Sequence, residues 1–345
     1  MLPPNSAYPW DLMSLLTSLT SMMAMTIAVL SILLALFIYA AYKALIRFPW
    51  LRPFTPGQGD PLTEWGIKYE EVEFKAFDTD HLIRGWWVPA AHDNDLKISI
   101  IALHGSGRDK HNYFQHIRHF HEIGLNSLIF DCRESLCDKD QTGKGLGYSF
   151  REHKDVRAAI HYVKNTHTTQ SKKLIVTGIS MGAASVVVAC SKDRELIDGV
   201  IAEACYSHPK DAWQHNIERN LKEGVKAFAS ISALSKVLPT SIPKWLMDAI
   251  LSTTMSVILR SEHNLHESDV PVHHIANISP KPVMLIHNTR DNVVPYRNSL
   301  ALIEAAREPK ELWTIDNGQP LHVTAIENDL TNEYIERLNK FIESI

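Results

Sequence analysis

The sequence predicts a doubly wound α/β fold, with a mostly parallel eight-stranded sheet, a helical lid inserted late in it and one transmembrane helix ahead of it. Three observations predict this. From Tyr69 onward, short apolar runs of strand length alternate with amphipathic helical stretches. A stretch of roughly seventy residues in the second half breaks that alternation, being too long for a simple connection. And no Asp, Glu, Lys or Arg occurs between Asp11 and Lys43.

The elements follow in chain order. Met22 to Tyr42 is almost wholly apolar, and as a helix it would span about 31 Å, close to the hydrocarbon thickness of a bilayer. A cleaved signal peptide would carry a basic segment first, and no Lys or Arg precedes Met22. Lys43, Arg47 and Arg52 follow the span, and Tyr39, Tyr42, Phe48 and Trp50 gather at the same boundary. Basic residues on that side predict a single-pass membrane protein whose main domain is cytoplasmic. Residues 1–48 then form the tail and span. Residues 49–68 form a linker, rich in Pro and Gly as far as Pro61, and residues 69–345 form one domain.

Within that domain, Tyr69–Ala76 alternates in polarity and Leu82–Val88 follows the Asp78-Thr79-Asp80 turn, which predicts an opening hairpin. Buried strands are predicted at Ile98–Leu103, Ser127–Phe130, Lys173–Thr177, Val200–Ala204, Val283–Ile286 and Leu312–Ile315. Helices are predicted at Phe150–Asn165, with Ser149 and Glu152 in capping-box spacing, and at Ala183–Cys190, Tyr296–Ala306 and Leu330–Ile345. The insertion, about 207–280, holds helical apolar patches at Val225–Leu238 and Trp245–Leu259. It leaves the sheet where the strand ends face the crevice in which such folds bind ligands.

Composition narrows the function. A net charge of −4, with no basic run, argues against a nucleic-acid partner. Cys132, Cys137, Cys190 and Cys205 form no C-x-x-C pair, which argues against a zinc site or a disulfide framework. His263, His266, His273 and His274 lie near Glu267 and Asp269 but lack helical metal-ligand spacing, so a polar lid loop is expected. Arg108, Lys110 and His111 read as a solvated loop. No cofactor or metal is predicted.

The chemistry is carried by Gly178-Ile179-Ser180-Met181-Gly182, set between a strand and a helix as a sharp nucleophile turn requires. A serine hydroxyl attacks only when a base takes its proton. Asp291 lies in the loop after the strand Val283–Ile286, and His322 after the strand Leu312–Ile315, giving the chain order Ser, acid, His. His322 is the expected base and Asp291 its orienting acid, with Glu203, at the end of Val200–Ala204, the alternative acid. His104-Gly105-Ser106-Gly107 follows the strand Ile98–Leu103. The backbone N–H groups of Ser106 and Met181 are the expected oxyanion donors, and His104 is expected to be structural.

These motifs resemble the α/β-hydrolase superfamily, from about Tyr69 to the C-terminus. More narrowly, the chain is similar to membrane-anchored bacterial α/β-hydrolases related to serine aminopeptidases, prolyl-oligopeptidase-like enzymes and lysophospholipases. Ser279 through Pro295 and Glu308-Pro309-Lys310-Glu311-Leu312-Trp313 carry the bacterial likeness. The family commonly has Asp-x-Arg-Gly-x-Gly where this chain has Asp131-Cys132-Arg133-Glu134-Ser135-Leu136. It places the histidine at most a few residues after a glycine, where here Gln319-Pro320-Leu321 intervenes. The resemblance implies a serine hydrolase acting on a small-molecule or lipid acyl substrate, an ester or thioester. A peptidase-like amide hydrolase is the alternative, and a non-catalytic scaffold a further one.

Overall fold

The structure is a computed structural model that describes residues 12–51, 56–229, 241–319 and 322–345. Helix α1 (Leu12–Leu51) contains an apolar stretch, Leu16–Tyr39, long enough to cross a membrane and exposed except at Ile38. The apolar stretch thus begins six residues earlier than Met22 and ends three short of Tyr42. Inside the segment read as a linker, a short helix α2 (Pro61–Trp65) forms because Asp60 caps it, accepting from the Leu62 and Thr63 N–H groups while Thr63 reaches back to the Asp60 N–H.

The sheet has eight strands in the order β1-β2-β4-β3-β5-β6-β7-β8. β1 (Glu70–Lys75) and β2 (Leu82–Val88) form the antiparallel hairpin, and β2 also runs antiparallel to β4 (Leu125–Asp131). β3 (Ile98–Leu103), β5 (Lys173–Ile179), β6 (Gly199–Glu203), β7 (Val283–Asn288) and β8 (Lys310–Ile315) join β4 in one parallel array. The helices between them are α3 (Phe114–Ile123), α4 (Glu152–Thr166) and α5 (Met181–Lys192). The insertion between β6 and β7 supplies α6 (Pro209–Ala229), α7 (Lys244–Arg260) and α8 (Pro271–His274). After β7 come α9 (Arg297–Ala305) and α10 (Thr331–Ser344). The expected patch at Val225–Leu238 runs into residues 230–240, which lie outside the described residues.

Strand side chains alternate between two buried layers, as a period of two requires. Val176, Val200, Ala202, Val283 and Leu285 face α4 and α5, with Met247, Ile250, Leu251, Met255 and Ile258 of α7 in the same cluster. Ile175, Ile201, Met284 and Ile286 face the other side, against Phe120 of α3 and Tyr334, Leu338 and Phe341 of α10. Every central strand is therefore covered on both faces, which is why it reads as an unbroken apolar run.

The turn after β4 departs from the resembling pattern at Glu134. Its φ is 59°, the left-handed region that glycine enters without a Cβ clash. The cost is offset locally. The Glu134 carboxylate accepts from the Thr142, Gly143 and Gly145 N–H groups at 2.7, 3.1 and 3.2 Å. Arg133 is buried beside it and bonds Asp155 and Asp78, each at 2.7 Å. All four cysteines are free thiols.

Candidate active site

Ser180 is the single residue between β5 and α5, with φ 57° and ψ −119°. A residue with a Cβ held there costs about 1–3 kcal/mol and persists only where its surroundings over-determine it. They do so here. The Ser180 N–H donates to the Glu203 carbonyl at 2.8 Å, and its own carbonyl accepts from the Ala184 N–H at 3.0 Å. The glycines of the motif let backbones touch: a Cβ on Gly182 would lie 2.2 Å from the Leu103 carbonyl oxygen and 2.6 Å from that of His104. Helix α5 therefore starts directly against the end of β3.

The turn after β3 lies beside the serine, since a Cβ on Gly105 would sit 3.4 Å from Ser180 Cβ. Ser106 follows in that turn, closed by the Arg108 N–H donating to the Gly105 carbonyl at 3.2 Å. Met181 is the first residue of α5, so its N–H is one of the helix-end donors with no intrahelical acceptor. Buried His104 sits between this turn and the next loop. Its Nε2 accepts from the Cys132 N–H at 3.3 Å, so the ring proton sits on Nδ1, which donates to the Gly105 carbonyl at 2.8 Å.

Asp291 and His322 are brought together, with His322 Nδ1 2.6 Å from Asp291 Oδ2. The loop after β7 presents the carboxylate, because Asp291 Oδ1 accepts from the Val293 and Val294 N–H groups at 2.8 Å each. Asn288 ties this loop to the one after β8 by donating to the Gln319 carbonyl at 2.9 Å. Burial opposes ionisation of Asp291, but the charge and hydrogen bond of His322 outweigh it, helped by His287 and the Val294 N–H. The carboxyl is held below its ordinary value. The Ser180 hydroxyl has no hydrogen-bond partner among the described residues, and is not itself bonded to His322.

Glu203 stands apart from the His322 ring: its Oε2 accepts from the Ala325 N–H at 2.8 Å. Burial pushes its carboxyl up to about 8, the Ala325 N–H pulling it down and nearby Glu327 raising it. Among the described residues no group of three metal-ligating side chains converges. His274 bonds Ser191 at 2.6 Å and Asp269 at 3.2 Å, fastening α8 to the end of α5. Lys110 pairs with Asp131 at 2.7 Å and His111 with Asp109 at 3.1 Å.

This architecture has counterparts among known proteins. The BD-FAE family matches residues 151–305. The esterase Pf2001 of Pyrococcus furiosus superposes with a TM-score of 0.59 at 23% identity, covering 85% of this chain and 96% of its own. The chain has the α/β-hydrolase fold. The α/β hydrolase GrgF of Penicillium sp. sh18 superposes with a TM-score of 0.56 at 19% identity, over 81% of this chain and 99% of its own. In sequence, the uncharacterized protein YfhR of Escherichia coli O157:H7 is 26% identical over 281 residues, 80% of this chain and 81% of its own. The uncharacterized protein YqkD of Bacillus subtilis strain 168 is 27% identical over 260 residues, 73% and 74% of the two chains.

Within this α/β-hydrolase fold, three side chains near the site had no reading in the sequence. His287 is buried against Asp291 and lowered by that burial. Its ring bonds Ser299 Oγ at 2.5 Å and the Val294 carbonyl at 2.9 Å. Asn112 accepts from the Gly105 N–H at 3.2 Å and donates to Glu327 at 3.3 Å. Glu327 also accepts from the Thr324 N–H and hydroxyl, each at 3.0 Å. No motif announces them: His287 bonds within the stretch that follows β7, and Asn112 and Glu327 are joined by a contact across 215 residues.

Proposed function

We propose that this chain is a membrane-tethered serine hydrolase that cleaves carboxylic esters or thioesters through an acyl-enzyme on Ser180. The observation that carries the reading is the strained Ser180 elbow, at φ 57°, together with the strand-end loops that pair Asp291 with His322 at 2.6 Å. His322 takes the hydroxyl proton as Ser180 Oγ attacks the acyl carbon, and Asp291 stabilises the imidazolium that forms. The N–H groups of Ser106 and Met181 receive the negative oxygen, each donor being worth about 3 kcal/mol in the transition state. The tetrahedral adduct collapses, and the leaving alcohol or thiol departs with the His322 proton. Water, deprotonated by His322, then attacks the acyl carbon and releases the acid and free Ser180. The esterase named among the structural neighbours supports an ester substrate.

The apolar stretch Leu16–Tyr39 supports a retained single-pass anchor, and Lys43, Arg47 and Arg52 beyond it support a cytoplasmic hydrolase domain. The insertion, with its apolar α7, is then a lid over the crevice, suited to an acyl chain. Labelling with a fluorophosphonate probe tests the proposal: the wild type should label at Ser180, and Ser180→Ala should lose both the label and about a millionfold in turnover. A labelled enzyme that turns over aminoacyl amides but not esters would replace the esterase reading with a peptidase. Absence of labelling would leave a binding scaffold.

A further inference from the structure

Glu203 touches the nucleophile and the base loop at once. Its main-chain carbonyl accepts the Ser180 N–H at 2.8 Å, and its carboxyl accepts the N–H of Ala325, three residues past His322, at 2.8 Å. A second bridge runs beside it. Asn112 accepts from Gly105 in the candidate oxyanion turn and donates to Glu327, which in turn holds Thr324, two residues past His322. We propose that Glu203 is a positioning residue, which together with the Asn112–Glu327 bridge fixes the His322 loop relative to Ser180 and the oxyanion turn. This rests on the serine-hydrolase reading and deepens it.

The surroundings of Glu203 make the role testable. Its neighbours are Tyr113 from the turn before α3, Tyr334 from α10 and Glu327 from the histidine loop, with the His116 ring of α3 tilted against Tyr113 and edge-on to Tyr334. Burial holds His116 at about 3, so it is uncharged at neutral pH. Glu203 Oε1 has no hydrogen-bond partner among the described residues. The Glu203 carboxyl therefore keeps its proton near neutrality, its pKa being raised to about 8. Once ionised, Glu203 repels Glu327, which belongs to the same loop as His322, and so pushes that loop away against the Ala325 hydrogen bond.

The experiment uses the full-length chain in detergent, with p-nitrophenyl ester turnover followed from pH 6 to 10. Wild type should lose kcat through an alkaline step near pH 8 while KM stays level. Glu203→Gln keeps an acceptor for the Ala325 N–H and cannot ionise, so it should retain kcat within about threefold and lack the alkaline step. Glu203→Ala and Asn112→Ala should lower kcat about tenfold to a hundredfold with KM unchanged, the effect of moving a catalytic group by about an ångström. Fluorophosphonate labelling of the wild type at Ser180 runs alongside. If the wild type labels but Glu203→Gln shows the same alkaline step as wild type, the positioning role is wrong. It is equally wrong if Glu203→Gln is as impaired as Glu203→Ala, because the acceptor alone would then not suffice. If the wild type does not label, the hydrolase reading itself has failed, and this inference with it.

Discussion

Asp291 uses its two oxygens differently, and substitution can separate them. Oδ1 holds the loop through the Val293 and Val294 N–H groups, while Oδ2 faces His322. Asn at this position keeps an acceptor for the loop but turns an amide donor toward the ring, which reverses the tautomer of His322. Asp291→Asn should therefore stay folded by circular dichroism yet lose about ten-thousandfold in kcat. A mild loss, paired with a crippling Glu203→Gln, would make Glu203 the acid. Glu203 also sets a pH dependence of stability. The folded chain keeps the Glu203 proton up to about pH 8, whereas the unfolded chain loses it near the ordinary value of 4.5. The unfolded state therefore binds fewer protons in that window, and this contribution to stability is complete below 4.5 and falls away as pH rises toward 8. Glu203→Gln removes it, so the Tm of the variant should gain on wild type between pH 5 and 8 and then level off. A Tm difference that does not vary with pH would count against it.

At the scale of elements, the elbow was legible because its geometry demands small residues at fixed places. Gly182→Ala should destabilise by about 1–3 kcal/mol, measured by chemical denaturation, since its methyl would press on the Leu103 carbonyl 2.2 Å away. Strands β2 and β3 match their predicted limits, because turn residues bound their apolar runs on the sequence itself. Others run longer than predicted. β7 continues through His287 and Asn288, and β8 begins at Lys310, where polar residues still join the ladder with β7 as their partner. Helix α3 is illegible in the sequence for a related reason. His116, His119 and His121 interrupt its apolar pattern, yet His116 is wholly buried and held uncharged, so it packs among aromatic rings as an apolar residue would. Helix α2 hides inside a Pro-rich stretch that reads as linker, where Pro61 at its first turn is a helix starter. The bridges through Asn112, Glu203 and Glu327 are illegible because they join residues up to 215 apart in the chain.

At the scale of the whole molecule, helix α1 and the insertion meet. Helix α1 packs against α7, and Ile38, at the end of the apolar stretch, lies partly buried on the cluster that contains Met247, Ile250, Leu251 and Met255. Helix α7 presents one face to the core and leaves Trp245 62% exposed at its start, beside exposed Lys244. If α1 spans a membrane, as proposed above, an exposed tryptophan on a helix packed against it is suited to the interfacial role of aromatic residues. If the insertion is a lid that serves an acyl chain entering from the bilayer, kcat/KM should climb from acetyl to octanoyl esters, each CH₂ contributing up to about 0.8 kcal/mol when fully buried. Polar substitution at Trp245 or Leu246 should flatten that climb for enzyme in phospholipid vesicles and leave acetyl ester turnover nearly unchanged. The competing account is that these side chains only fasten the insertion to the rest of the domain. It predicts that the same substitutions lower Tm and depress all esters alike. Chain-length profiles of the wild type and Trp245→Gln, measured with Tm on the same preparations, decide between them, and a wild-type preference for acetyl over octanoyl would end the acyl-chain reading.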